Sequence, residues 1–208
     1  MSTRRYTPKV RQAQVSERRQ QVVAATAELH AEKGVNATSY ANIAGRSGVS
    51  LPTVHSYFPT QADLLSACTG HVVARAPQIP MQAILAAPDL SDAANRLIVA
   101  VDGLHAYFEP WLCWRQETAA PFLTEFAATH RAQLTSMLDR LLSQHRPGQQ
   151  TACAAVWESI LSFDFWNRLV RQHGMSRARV RKILKNLLMA AIGPGLSTST
   201  QPGPRRKL

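Results

Sequence analysis

Acidic residues are scarce in this chain. Thirteen stand against 24 lysines and arginines in 208 residues, and none follows Asp164. A net charge of +11 and a pI near 10.4 exclude a neutral or acidic surface and suit a polyanionic partner. Cysteine is nearly as sparse. Cys68, Cys113 and Cys153 are far apart and odd in number, and no pair has zinc-site or redox spacing, so they read as small buried hydrophobes. His71, His105 and His130 show no regular ligand spacing, and neither a metal nor a cofactor is expected. There is no Gly-rich phosphate loop and no nucleophile–base–acid motif, which argues against an enzyme. No apolar run is long enough to span a bilayer, and the start, MSTRRYTPKVRQ, lacks the apolar stretch of a secretory signal. A cytoplasmic protein is the expectation. Strand signals and repeats are absent too, leaving an all-α chain whose 45% hydrophobic content fits a buried core.

What is present centres on residues 40–58, YANIAGRSGVSLPTVHSYF. Ala44 is small where two helices cross closely. Gly48 follows where a tight turn needs positive φ at no steric cost. Val54 comes six residues later, with Ile43 and Val49 completing a small core. Ser50 suits the N-cap of a second helix, and Pro52 falls in its first turn, where a missing N–H costs nothing. This is helix-turn-helix spacing, and 51–57 is the helix placed to enter a DNA major groove. The flanks agree. Val22, Ala25 and Leu29 lie at i, i+3 and i+7 of a preceding helix that Gly34 stops. Thr38 and Ser39 are alternative caps for the next helix. Thr60 caps a fourth, with Leu64 and Leu65 on its inner side.

Residues 18–68 resemble the N-terminal domain of the TetR family of bacterial transcriptional regulators. The resemblance rests on Arg18, Val22-Val23, Ala25, Gly34, Thr38-Ser39, Ile43-Ala44, Gly48-Val49-Ser50, Tyr57-Phe58 and Leu64-Leu65. It covers about a quarter of the chain; beyond it only length and helical layout are similar. The family usually has Phe where His30 sits, Tyr where His55 sits and Lys where Gln61 sits, and Pro52 replaces a common Gly. The resemblance implies an N-terminal helix-turn-helix three-helix domain and a C-terminal helical ligand-binding and dimerisation domain, about nine helices in all. It also implies a small-molecule cavity in the middle of the chain, and pairing of the last two helices with their copies.

The organisation expected is a flexible basic arm over 1–15, a DNA-binding domain over 16–60, a helical ligand-binding and dimerisation domain over 61–194, and a disordered basic tail over 195–208. Within the third segment, Pro77, Pro80 and Pro88 bound a short helix around 81–86. Ser91 caps a long helix through Leu97, Val101, Leu104 and Phe108, which Pro110 kinks or ends. A short aromatic helix spans 111–118, and Pro121 opens another that stops at Arg146-Pro147-Gly148. Residues 150–172 are apolar nearly all round. Ser176 caps a last helix whose stripe is Val180, Ile183, Leu184, Leu187, Leu188 and Ala191. The basic residues of 171–208 read as solvated surface and loose tail, whereas those before residue 20 read as DNA contacts.

Base-reading candidates are Leu51, Pro52, Thr53 and Ser56; Thr53 can hydrogen-bond a base edge and set its methyl against thymine. Phosphate candidates are Thr38, Ser39, His55, Tyr57 and Thr60, with Arg4 and Arg5 from the arm. His55 also reads as a plain exposed histidine and Tyr57 as a packing residue. His105, Phe108, Trp111, Trp114, Phe122, Phe126 and Trp157 are the pocket candidates, with plain core as the alternative for each. The function expected is a ligand-responsive regulator, a homodimeric repressor released from a palindromic operator by a small apolar or aromatic molecule, without membrane contact. The alternatives are a ligand-independent DNA-binding structural protein or an enzyme with a helical fold.

Overall fold

The structure is a computed structural model that describes residues 8–112, 120–145 and 150–192. Every regular element there is helical: α1 (Pro8–Lys33), α2 (Tyr40–Ser47), α3 (Leu51–Tyr57), α4 (Gln61–Val73), α5 (Met81–Leu85), α6 (Leu90–Leu112), α7 (Ala120–His145), α8 (Gln150–Ile160), α9 (Phe163–Asn167), a π turn (Arg168–Gln172) and α10 (Arg177–Ala190). No helix among the described residues is long and apolar enough to cross a membrane. The chain divides into two compact units, one of residues 1–77 with 106–128, the other of 78–105 with 129–208.

The first unit is built on α1 to α4. Val22, Val23 and Leu29 of α1 meet Ile43, Val49, Val54, Phe58 and Leu64 in one buried cluster, with Tyr40, Ala44, Tyr57 and Ala67 packed on its edge. Each side chain the size of Val54 or Phe58 removed from water contributes roughly 1.5–3 kcal/mol. Helix α1 begins at Pro8, so the segment expected to be a flexible arm is helical from its eighth residue. The physical reason is that proline costs a helix nothing at its first position, and the Gln, Arg and Ala that follow are good helix formers. Residues 11–21 of this helix are exposed throughout, so α1 stands about seven turns long with only its second half packed. The end of α6 also belongs here. The Tyr107 hydroxyl donates to the Val72 carbonyl at 2.7 Å, and the Trp111 indole N–H donates to the Ala27 carbonyl at 2.8 Å. These bonds tie α6 to the backbones of α4 and α1.

The second unit packs α8 and α10 with the first part of α6. Its core includes Leu97, Ile98, Val101, Leu104, Met137, Leu138, Leu141, Leu142, Trp157, Leu161, Trp166, Val180, Leu184 and Leu188. Three boundaries differ from those expected. The cap of α6 is Asp89 rather than Ser91: its carboxylate accepts from the Asp92 N–H at 2.8 Å, as a carboxylate does at the positive end of a helix. Pro110 lies inside α6, whose last residues include Trp111; so near the helix end, its missing N–H forfeits only one backbone bond. The stretch 150–172 is broken at Ser162, whose hydroxyl accepts from the Phe165 N–H and restarts the chain as α9. Ser176 does cap α10, accepting from the Arg179 N–H. On α10, Val180, Leu184 and Leu188 are buried, whereas Leu187 is 37% exposed.

Candidate nucleic-acid interface

The turn between α2 and α3 is set by Gly48, whose φ of +68° ends α2 in the left-handed region. Ser50 stands at the N-cap of α3, and its carbonyl accepts from the N–H groups of Thr53 and Val54. Its side chain makes no cap bond. It shares a 2.7 Å hydrogen bond with the Thr53 hydroxyl instead. Val54 and Phe58 face inward at 0% exposure, so the opposite side of α3 must face water. Leu51, Pro52, His55 and Ser56 are all exposed, and Thr53 is half-buried. All five lie on this short helix and four of them are exposed, which is the geometry for reading base edges.

The phosphate candidates divide. Ser39 is exposed and caps α2: its hydroxyl oxygen accepts from the Asn42 N–H, its own N–H donates to the Asn42 side chain, and its hydroxyl proton stays available. His55 lies flat on Tyr40, ring centroids 4.3 Å apart and planes 4° from parallel. The Tyr40 hydroxyl in turn donates to the Phe58 carbonyl, so the last turn of α3 is fastened to the start of α2. Burial, and then the charge of Asp63, raise the Tyr40 pKa above its ordinary value, which keeps that hydroxyl protonated and donating. Thr38 and Thr60 have their donors committed. Thr38 gives its hydroxyl proton to the Gly34 carbonyl and its N–H to Val35. Thr60 gives both N–H and hydroxyl to Asp63, whose carboxylate also repels an approaching phosphate. Tyr57 is half-buried against the unit's core. Arg4 and Arg5 lie outside the described residues.

Two groups escaped sequence reasoning. Asn42 completes the capping box of α2 and accepts from the Lys33 ammonium at 2.8 Å, joining α1 to α2 at the exposed edge. Its spacing from Ser39 was the available signal. Arg46 bridges Glu28 and Glu32 of α1; the hydrogen bond to Glu32 leads the causes that hold the arginine above its ordinary pKa. Arg19, one of the basic residues expected at DNA, sets its guanidinium 4.6 Å over the Phe58 ring.

The described pocket candidates do not gather at one place within either unit. In the first unit Phe108 is buried and meets Tyr107 edge-on at 5.0 Å, and Trp111 is half-buried on Ala27. In the second, His105 bonds the Leu161 carbonyl through Nε2 at 2.8 Å and packs edge-on against Phe163. Trp157 is fully buried, with its indole N–H on the Leu188 carbonyl; it fastens α8 to α10 as core. Trp114 lies outside the described residues, as do the side chains of Phe122 and Phe126 on α7. Two C-terminal arginines read as solvated surface are in fact partnered. Asp102 of α6 is fully buried and accepts from Trp166, Arg177 and Arg181 at 2.8–3.2 Å.

A small core beneath an exposed, glycine-turned second helix defines a helix-turn-helix DNA-binding protein. Residues 22–68 match the model of the bacterial regulatory proteins, tetR family. Over those residues the chain is similar to the TetR family of bacterial transcriptional regulators. It is 29% identical over 119 residues to the HTH-type transcriptional regulator LuxR of Vibrio harveyi, a match spanning 55% of this chain and 58% of that one. The chain thus aligns with a little over half the length of that relative. In fold it is similar to NalD, the secondary repressor of the MexAB-OprM multidrug efflux pump in Pseudomonas aeruginosa, with a TM-score of 0.62 at 16% identity over 85% of this chain and 95% of NalD. The SmeT–triclosan complex is also similar, with a TM-score of 0.59 at 17% identity over 90% of this chain and 99% of SmeT.

Proposed function

We propose that the protein is a homodimeric, cytoplasmic repressor that two copies of α3 anchor to a palindromic operator and that a small apolar or aromatic molecule releases. The observation that carries the DNA half of this reading is the outer surface of α3, where Leu51, Pro52, His55 and Ser56 stand exposed over a buried Val54 and Phe58. Thr53 and Ser56 supply hydrogen bonds to base edges, and Leu51 and Pro52 supply apolar contact. Ser39, His55 and the arginines of α1 hold the phosphates. Two-fold pairing is supported by α10, where Leu187 stays 37% exposed beside the buried Val180, Leu184 and Leu188. The effector half draws on SmeT, whose complex holds triclosan, and the repressor half on NalD.

In this mechanism the effector stabilises one arrangement of the C-terminal helices, and the change reaches the DNA-binding unit through α4 and through the end of α6. Tyr107 on Val72 and Trp111 on Ala27 tie the end of α6 to α4 and α1 within the first unit. A changed spacing of the two recognition helices then weakens operator binding. The test is a gel-shift series on DNA upstream of the gene and its neighbours. Thr53→Ala should lose about 1–3 kcal/mol of discrimination at one position of each half-site. Equal weakening on specific and random DNA would remove Thr53 from the base-reading surface.

A further inference from the structure

The most basic part of the described chain is not the DNA-binding module. Residues 8–77 hold seven lysines and arginines (Lys9, Arg11, Arg18, Arg19, Lys33, Arg46, Arg75) against four acids (Glu17, Glu28, Glu32, Asp63). Residues 168–192, about a third as long, hold seven (Arg168, Arg171, Arg177, Arg179, Arg181, Lys182, Lys185) and no acid at all. One buried carboxylate, Asp102, answers both Arg177 and Arg181. Arg168, Arg179, Lys182 and Lys185 make no ion pair among the described residues; the first three are exposed and Lys185 is half-buried. Asp102 therefore fixes two guanidinium groups in place and neutralises only one of them. A concentrated positive field remains over the π turn and the outer side of α10.

We propose that this face, carried by Arg168, Arg179, Lys182 and Lys185, is a second nucleic-acid surface that binds the sugar–phosphate backbone of duplex DNA without regard to sequence. Exposed cations spread along a helix neutralise phosphates wherever these lie on a duplex, and such contacts carry no sequence information. A lipid surface fits less well. A helix that lies on a membrane needs an apolar face flanked by its cations. Here Val180, Leu184 and Leu188 are spent inside the unit. The exposed Leu187 lies roughly 140° round the helix from Lys182, on another side. The surface is independent of α3, so the protein would hold DNA by two separate parts of the chain.

The experiment uses the full chain and a short random-sequence duplex labelled for fluorescence anisotropy, titrated across a range of salt concentrations. Four proteins are compared: the natural chain, Ser56→Glu on α3, the triple change Arg179→Glu, Lys182→Glu and Lys185→Glu, and both together. The triple change should lower the slope of log affinity against log salt by about 2–3, since each lost phosphate contact removes about 0.9. The Ser56→Glu protein should keep a salt-dependent affinity that the combined protein loses. Failure of the α3 reading appears as an unaltered Ser56→Glu protein, and leaves this comparison intact. An unchanged slope in the triple variant overturns the proposal. So does loss of binding to phosphatidylserine vesicles with DNA binding unmoved, which assigns the face to lipid. The milder Arg179→Gln, Lys182→Gln and Lys185→Gln set, checked by circular dichroism, replaces the reversal if that protein misfolds, and should lower the slope in the same direction.

Discussion

Asp102 offers the sharpest test of how the second unit is held together. Its carboxylate is fully buried and accepts from the Trp166 indole at 2.8 Å, from Arg177 through Nε and Nη2 at 2.9–3.2 Å, and from Arg181 at 3.2 Å. The partners differ in their access to water. Trp166 is 2% exposed, whereas the Arg177 and Arg181 side chains are 46% and 40% exposed. Asp102→Asn removes the buried charge and keeps the shape. The two guanidinium groups then turn to solvent, and the loss is mainly that of weakened hydrogen bonds, about 1–2 kcal/mol. The double change Arg177→Ala and Arg181→Ala does the opposite. It strands an ionised carboxylate in the interior with one neutral donor, which costs about 3–5 kcal/mol. Removing two half-exposed surface cations should therefore cost more than removing the one buried anion. Urea denaturation followed by circular dichroism, at one protein concentration, measures both. Equal costs, or a larger cost for Asp102→Asn, would refute the reasoning, because the carboxylate would then not depend on its arginines.

Three further outcomes are expected. Gly48→Ala should lower the stability of the DNA-binding unit by about 1–2 kcal/mol, because a Cβ there meets open space but the φ of +68° strains any L residue; an unchanged denaturant midpoint would show that the turn relaxes freely. Leu187→Arg should turn the proposed dimer into a monomer with native helix content, since it sets a charge on the half-open stripe of α10; light scattering that still shows a dimer places the interface elsewhere. Burial pushes the Cys68 thiol up to about 12 from an ordinary 9.0, so the neutral thiol is the form the fold favours. Its contribution is complete below pH 9 and is lost as pH rises toward 12. Cys68→Ala should flatten part of that alkaline loss in denaturant midpoints, and an identical pH profile would count against it.

The DNA-binding module was legible because its determinants are local. The left-handed turn at Gly48, the buried Ile43, Val49 and Val54, and the exposed face of 51–57 follow from spacing within a few helical turns. The same locality made Ser39, Thr60 and Ser176 readable as caps. Periodicity found the stripe of α10 but not its division, for whether Leu187 is exposed while Leu188 is buried depends on which neighbour lies across from each. Where a hydroxyl spends its proton was equally hidden. Thr38 and Thr60 look like phosphate donors until Gly34 and Asp63 are seen to take their hydrogens.

The sequence by itself determined an all-helical chain with a glycine-turned helix pair near its start and a basic end, because helix, cap and turn chemistry act over three or four residues. Only the tertiary structure decided that Asp102 is buried beneath two arginines 75 and 79 positions away, that Trp157 is core on α10, and that Tyr107 and Trp111 fasten α6 to the backbones of α4 and α1. Such pairings join residues far apart in the chain. Each side chain carries the same hydrogen-bonding groups wherever it lies, and only the packing of helices chooses its partner.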